Sequence, residues 1–241
     1  MIRWAIRHTF YAAALCTGGA VAWAVSRPAV EGSGNAVTET RAIGAVTEVV
    51  ITGSGDVTIV AGDSPSVRVA ADDNILPLLA TETSGKKLTI RPVASRVRPK
   101  TKIAYTVTVP DLKAVTVSGA GNVTAEKLTG ESLKVKLSGS GTATLRDVTY
   151  QTLALELSGS GKATVSGSAA RTTLKLSGAG KIDAAELRTT FADVQVSGAG
   201  QASVWAATEL KARVSGAGSV KYKGSPQVEQ KVSGAGHVRP L

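Results

Sequence analysis

The sequence has few of the residues from which most catalytic and metal sites are built. Cys16 is the only cysteine among 241 residues, so no disulfide can form within the chain. His237 is the only histidine beyond the first eight residues, which leaves little for a transition-metal site. Aromatic residues make up only 4% of the chain, too few for grooves that stack nucleic-acid bases or sugars. Stability must therefore come from hydrogen-bonded strands and aliphatic packing.

The acidic residues also lack the arrangement that hydrolases and calcium-binding repeats need. Calcium-binding β-rolls carry an Asp in every repeat, whereas only Asp56 is acidic at the position after Gly-x-Gly here. A glycosidase needs two carboxylates about 5 to 10 Å apart. When the repeats are aligned, no two acids stack, and Glu126 falls above Arg146. The sequence therefore predicts no catalytic residue, no metal and no cofactor.

One phrase of four residues, Ser-Gly-(Ala or Ser)-Gly, recurs throughout the second half of the chain. The spacings between its copies are 20, 20, 19, 20, 18 and 18 residues, and a near-match occupies Thr52–Gly55. The copies begin at Ser118, Ser138, Ser158, Ser177, Ser197, Ser215 and Ser233. A fixed period near 20 residues indicates stacked structural repeats, each forming one coil.

Alternating strands flank each copy of this phrase. Leu133, Val135 and Leu137 precede one copy, and Ala143 and Leu145 follow it. Period-two alternation places these side chains inward and their Thr, Lys and Ser neighbours outward. Parallel crossovers are nearly always right-handed. The sequence therefore predicts an all-β, single-stranded, right-handed parallel β-helix with coils of 18–20 residues.

The N-terminal segment has the pattern of an export signal. A basic start is followed by an apolar run over residues 10–25, and Ala22-Trp23-Ala24 has the form of a signal-peptidase site. We predict a signal peptide at 1–24 with cleavage after Ala24, a flexible linker at 25–40 and the β-helix at 41–241. The alternative is a retained inner-membrane anchor at residues 10–25. Cleavage would lower the formal charge from +10 to +8, because Arg3 and Arg7 are removed.

The order of these motifs resembles the head GIN domain family of exported, adhesin-like proteins. The resemblance runs from about Arg41 to Val238 and includes ITGSGDVTI at 51–59 and VRVAADDNILPLL at 67–79. It continues through the Val-Pro-Asp-Leu entry at 109–112 and ends with the Val-x-Tyr-x-Gly-x-Pro phrase at 220–226. It implies an exported β-helical protein, envelope-associated, periplasmic or secreted, and it implies no catalytic residues.

An outward column of mostly basic residues is the one candidate binding feature. Its members fall two positions before the Ser of successive copies: Lys136, Glu156, Lys175, Gln195, Arg213 and Lys231. The cations Lys136, Lys175, Arg213 and Lys231 form a candidate polyanion-binding face. The alternative is an ordinary solvated sheet face that lysine keeps soluble.

Three functions are compatible with this sequence. The first is a non-enzymatic envelope or surface module that binds an anionic glycan, an envelope polymer or a protein. The second is a structural or self-associating element, because the ends of a β-helix are open edges. The third, a polysaccharide-active enzyme, is the least favoured. Nucleic acid is not an expected partner, and the only expected membrane contact is through the N-terminal segment.

Overall fold

The computed structural model describes residues 29–93 and 97–241, and 74% of these residues lie in β-strands. The only helix in this part of the chain is a single 3₁₀ turn at Leu76–Leu78. The N-terminal strands are β1 (Val30–Glu31), β2 (Ala36–Ala42), β3 (Glu48–Gly53), β4 (Asp56–Ala61), β5 (Ser66–Asp72), β6 (Leu79–Ser84), β7 (Lys87–Pro92), β8 (Val97–Arg98) and β9 (Ala104–Val109). The strands of the repeats are β10 (Ala114–Gly119), β11 (Asn122–Glu126), β12 (Thr129–Gly139), β13 (Thr142–Gly159), β14 (Lys162–Gly178), β15 (Lys181–Gly198), β16 (Gln201–Gly216), β17 (Ser219–Lys223), β18 (Gln227–Ser233) and β19 (His237–Pro240).

The repeats stack in register as a β-solenoid of about six turns. The Ser residues that begin the recurring phrase are partners on successive parallel strands, from Ser118 to Ser233. The early near-match joins the same stack, because Thr52 pairs with Ser118. The predicted β-helix with coils of 18–20 residues is thereby confirmed.

Glycine is required at the corner that the recurring phrase forms between one strand of the repeats and the next, as between β14 and β15. Gly178 has φ +110°, and a Cβ there would lie 2.6 Å from the carbonyl oxygen of Gly159 on the preceding coil. The corner amides bond along the stack: Ala179 N–H donates to Gly159 (3.1 Å) and Lys181 N–H donates to Gly161 (3.0 Å). The Gly-x-Gly spacing therefore lets neighbouring backbones approach closely while every corner stays hydrogen-bonded.

The core is a column of aliphatic side chains inside the coils. Leu153, Leu155 and Leu174 have no exposed surface, and the apolar residues opposite the corner, such as Leu187, are also buried. Burial of a Leu side chain contributes about 1.5–3 kcal/mol. Because one coil cannot enclose its own apolar face, this stabilisation depends on the neighbouring coils.

Differences in coil length are absorbed away from the corner. Between β15 and β16 the register shifts between Ala184 and Arg188 and again between Thr189 and Phe191. The strands on both sides of the corner keep continuous pairing. The outward columns beside the corner therefore remain straight along the stack.

The N-terminal strands form the opposite end of the stack out of sequence order. Strand β7 pairs in parallel with β3, and β9 pairs in parallel with β4, so residues 87–109 lie beneath residues 48–61. Antiparallel strands then close this end, with β6 on β7, β5 on β9 and β2 on β5.

The predicted flexible linker at 25–40 is corrected where the structure describes it. Residues 30–31 pair with β8, and β2 pairs with β5 over all seven of its residues. Strand β2 is held by backbone hydrogen bonds to β5, and most of its side chains are exposed. Because these side chains need not be apolar, the sequence shows no pattern of alternating buried residues at this strand. The predicted boundary at Ala24 lies outside the described residues.

A buried carboxylate ties this N-terminal segment to the solenoid. Asp72 has no exposed surface and accepts hydrogen bonds from the backbone N–H groups of Gly34 (2.7 Å), Lys100 (2.9 Å) and Thr101 (3.2 Å). Burial raises the pKa of Asp72, but these donors outweigh that effect and hold the pKa below its usual value.

Candidate binding groove

A groove of about 700 Å³, here called the axial groove, runs along the stacking axis. Two outward positions on each of six successive strands line it. The first column is Lys136, Glu156, Lys175, Gln195, Arg213 and Lys231. The second column is Ser138, Ser158, Ser177, Ser197, Ser215 and Ser233. Five steps of strand spacing give the groove a length of roughly 24 Å.

Strand alternation and the glycine corner explain why the groove forms here. On each strand the two outward residues are separated by one buried apolar residue, as Leu176 separates Lys175 from Ser177. The glycines that follow carry no side chain, so space remains open beside the Ser column. In-register stacking then extends this one-coil pattern into a continuous groove.

The four cations predicted from the sequence all line the axial groove. Lys136, Lys175, Arg213 and Lys231 are exposed and belong to one column of stacked partners. The structure therefore brings together the whole predicted face.

Acidic residues pair with two of these cations. Glu156 lies between Lys134 and Lys136, with Nζ–Oε distances of 3.2 and 3.3 Å. Asp193 lies 3.2 Å from Nη1 of Arg213. Within the described residues Lys175 and Lys231 have no acidic partner within 4 Å. The cations of the groove thus differ in how far they are already neutralised.

Glu156 remains negatively charged at neutral pH. Partial burial raises its pKa, but hydrogen bonds and charge attraction from Lys134 and Lys136 dominate and lower the pKa below its usual value. We call the pair of groove-lining residues on one strand a rung. The rung of Glu156 therefore carries a negative charge between the basic rungs of Lys136 and Lys175.

The Ser column presents free hydroxyl groups. Among the described residues, none of its six hydroxyls forms a hydrogen bond with another side chain or with the backbone. The corner N–H groups donate to Gly carbonyls of the preceding coil, so these hydroxyls are not used to cap the corner. The hydroxyls are therefore available to a ligand along the whole groove.

Comparison with known protein families identifies the family of this chain. A family model described as "Putative auto-transporter adhesin, head GIN domain" matches residues 45–226, which is more than half of the chain. The chain belongs to the head GIN domain family. The resemblance drawn from the motifs is thereby confirmed.

Solved structures agree with this assignment. The head GIN domain is similar to a "putative adhesin" from Bacteroides fragilis, at 25% identity and a TM-score of 0.84, over 88% of this chain and 100% of that one. A "putative adhesin" from Parabacteroides distasonis is 26% identical, with a TM-score of 0.72, over 89% and 100% of the two chains. A "Putative lipid binding protein" from Parabacteroides distasonis shares the fold, with a TM-score of 0.76. It is 23% identical, over 89% of this chain and 100% of that one.

A search of curated proteins found no match to this head GIN domain. Within residues 29–93 and 97–241, no helix has the length and apolar character needed to cross a membrane. The same residues contain no group of three or more His, Cys, Asp or Glu side chains placed to hold a metal ion.

A cation–aromatic stack on another face of the head GIN domain was not predicted from the sequence. The guanidinium of Arg188 lies 4.8 Å from the centroid of the Trp205 ring, and Nζ of Lys223 lies 4.5 Å from it. These three residues are partners on successive strands. The stack arises just after a shift in register, which the repeat spacing alone does not locate.

Proposed function

We propose that this head GIN domain is part of an exported, non-enzymatic surface protein that binds an extended anionic polymer in the axial groove. The observation that carries the proposal is the row of Lys136, Lys175, Arg213 and Lys231 along one groove beside six free hydroxyls. Membership of an adhesin-like family supports a surface role.

The shape of the groove supports a linear ligand. The same two outward positions recur on each of the six strands that line the groove. A compact ligand would contact one or two rungs, whereas an extended chain contacts all of them and gains from each contact. The surplus of cations favours a polyanion.

The pairing of the acidic residues supports a non-enzymatic role. Glu126 pairs with Arg146 at 3.2 Å, and both acids beside the groove, Glu156 and Asp193, pair with cations. Glycoside hydrolysis requires one carboxyl group to remain protonated as an acid. The lowered pKa of Glu156 is the opposite of that requirement.

The test is to screen the purified protein against anionic glycans, polyphosphate and anionic lipids at low and high salt. A variant with Lys136, Lys175, Arg213 and Lys231 changed to Gln should lose salt-sensitive binding to one polymer class. Salt screens the attraction between exposed cations and the polymer, so such binding should weaken as salt increases.

A charge-matched variant separates the groove from general electrostatic attraction. It carries the same number of cation-to-Gln changes, four, at positions that do not line the groove: Lys86, Lys162, Lys181 and Lys221. We expect this control to retain binding. Equal loss in both variants, or no binding to any polymer, would contradict the proposal.

Self-association is a second candidate, favoured by the last described coil. Val232 is an inward-facing residue of β18 yet is 40% exposed, because β18 pairs only with β16 among the described strands. A second copy that covers this coil would bury Val232 and extend the ladder. Light scattering should then show dimers that Val232→Lys abolishes. A concentration-independent monomer would exclude this candidate.

A further inference from the structure

We propose that the axial groove selects a linear acidic glycan that carries its negative charge on every second sugar. This inference rests on the proposed function, because it assumes that the groove binds an anionic polymer. It names the charge spacing that the groove accepts.

The first reason is the spacing of the cations. Lys136 is separated from Lys175 by one intervening strand, and Lys175 is separated from Arg213 by another. Two strand spacings give a separation of about 9.6 Å between successive cations. This separation is close to the length of one disaccharide in an extended glycan. An anion on alternate sugars would therefore meet a cation each time.

The second reason is the side chain on each intervening strand. Glu156 stands between Lys136 and Lys175, and the neutral Gln195 stands between Lys175 and Arg213. Glu156 is half-buried and held by Lys134 and Lys136, so it cannot turn away without breaking two ion pairs. An anionic group at that rung would meet a like charge, which discriminates against polymers charged on every unit.

The third reason is the Ser column, which repeats on every strand rather than on every second strand. Each sugar of a glycan carries hydroxyl groups, whether or not it carries an acid, and would meet one Ser hydroxyl per rung. Polyphosphate offers acceptors but no hydroxyl donors, and its charge falls on every unit. The combined pattern of alternate charge and continuous hydroxyls thus fits a glycan.

The acid partner of Arg213 leaves that cation able to bind. Asp193 contacts only Nη1 of Arg213, so the other guanidinium nitrogen atoms face no described acid. Lys231 follows Arg213 by one strand, so the alternation holds from Lys136 to Arg213 and the last rung adds one extra cation.

The experiment compares two linear probes of equal sugar length, using the full-length protein. Hyaluronan oligosaccharides carry a carboxylate on alternate sugars, and oligogalacturonates carry one on every sugar. General electrostatic attraction predicts tighter binding of the oligogalacturonate. We expect the reverse, with hyaluronan bound about tenfold more tightly, the size of effect that one like-charge contact produces. Calorimetry at two salt concentrations measures the ratio.

Variants of Glu156 and Gln195 test whether the side chains on the intervening strands cause the preference for hyaluronan. Glu156→Gln and Gln195→Lys should each raise the affinity for the oligogalacturonate relative to that for hyaluronan. The ratio of the two affinities should then be close to one. Glu126→Gln removes a comparable ion-paired acid outside the groove and should leave the preference unchanged. All three sites are on the surface or half-buried, and thermal melting verifies that each variant is folded.

The outcomes separate the spacing inference from the proposed function. If both probes bind and the oligogalacturonate binds equally or more tightly, the spacing inference is wrong and the polyanion function stands. Binding of polyphosphate alone would overturn the glycan inference while preserving the polyanion function. If no anionic polymer binds, both are wrong.

Discussion

Gly178 lies directly above Gly159 in the corner column, and its backbone has the left-handed φ of +110° that L-residues rarely adopt. A Cβ at Gly178 would lie 2.6 Å from the Gly159 carbonyl oxygen, so one of the two coils must move. We therefore expect Gly178→Ala to lower the free energy of unfolding by about 1–3 kcal/mol. Urea denaturation measures this loss.

Ala179 provides the matched control, because it is the next residue in the same corner and is exposed. Other copies of the phrase carry Ser at this position, as at Ser140. Ala179→Ser should change the stability by less than about 0.5 kcal/mol. An equal loss in both variants would show that the corner does not depend on close glycine stacking.

The corner, the inward residues and the basic column were predictable because they follow from one local period. Alternation determines which side chains point inward, and the near-constant spacing brings Lys136 and Lys175 into one column. Ion pairs across coils were partly predictable for the same reason, as for Glu126 and Arg146.

Features that depend on register shifts or on distant pairing were not predictable. Lys127 and Asp147 adopt a left-handed φ of 54° at a second turn that has no glycine signal. The placement of residues 87–109 beneath residues 48–61 depends on strands far apart in sequence. Strand β2 was missed because antiparallel pairing at the end of the stack does not require an apolar face.

The Trp205 stack should contribute to stability through both of its cations. Each exposed cation–π contact is worth about 0.5–1 kcal/mol, so Arg188→Gln and Lys223→Gln should each cost about that amount. In a Trp205→Leu background the same substitutions should cost less, which a double-mutant cycle measures. Because Lys223 also lies 3.2 Å from Glu186, a Glu186→Gln variant is needed to subtract the ion pair. If Arg188→Gln and Lys223→Gln cost as much stability in the Trp205→Leu background as in the wild type, the Trp205 ring does not contribute to the effect of these cations.

Asp72 should make the N-terminal segment sensitive to acid. Its pKa is lower in the folded state than in the unfolded state, because backbone donors from Gly34, Lys100 and Thr101 outweigh the effect of burial. Its stabilisation is therefore present above the unfolded pKa of about 4 and is lost as the pH falls through the folded value. Hydrogen exchange should show faster opening of residues 30–35 under these conditions.

Asp72→Asn should produce the same opening at neutral pH. The amide has lost the negative charge and turns an N–H donor toward backbone donors, so the three hydrogen bonds cannot all form. Asp63→Asn, at an exposed carboxyl, is the control. Unchanged exchange at residues 30–35 in Asp72→Asn would contradict the proposed role of this carboxylate.

Tyr105 and Tyr150 should make the solenoid sensitive to alkali. Burial raises the pKa of each to about 12, with a further contribution from the nearby Asp111 charge at Tyr150 and a small opposing one from Arg41 at Tyr105. Because the folded pKa exceeds the unfolded value of about 10, the neutral hydroxyls stabilise the fold fully below that value. This stabilisation is lost as the pH rises from about 10 toward 12, so urea midpoints should fall across that window.

Tyr150→Phe separates the titration of this hydroxyl from its hydrogen bond. At neutral pH the variant should lose about 0.5–1.5 kcal/mol, because the hydroxyl donates to the carbonyl oxygen of Leu112 at 3.2 Å. Above about pH 10 its stability should fall less steeply than that of the wild type, since one titrating group is gone. Tyr222→Phe, in a half-buried position, should retain the steep alkaline loss because Tyr105 and Tyr150 remain. Parallel alkaline curves for the wild type and Tyr150→Phe would show that this buried hydroxyl does not govern the transition.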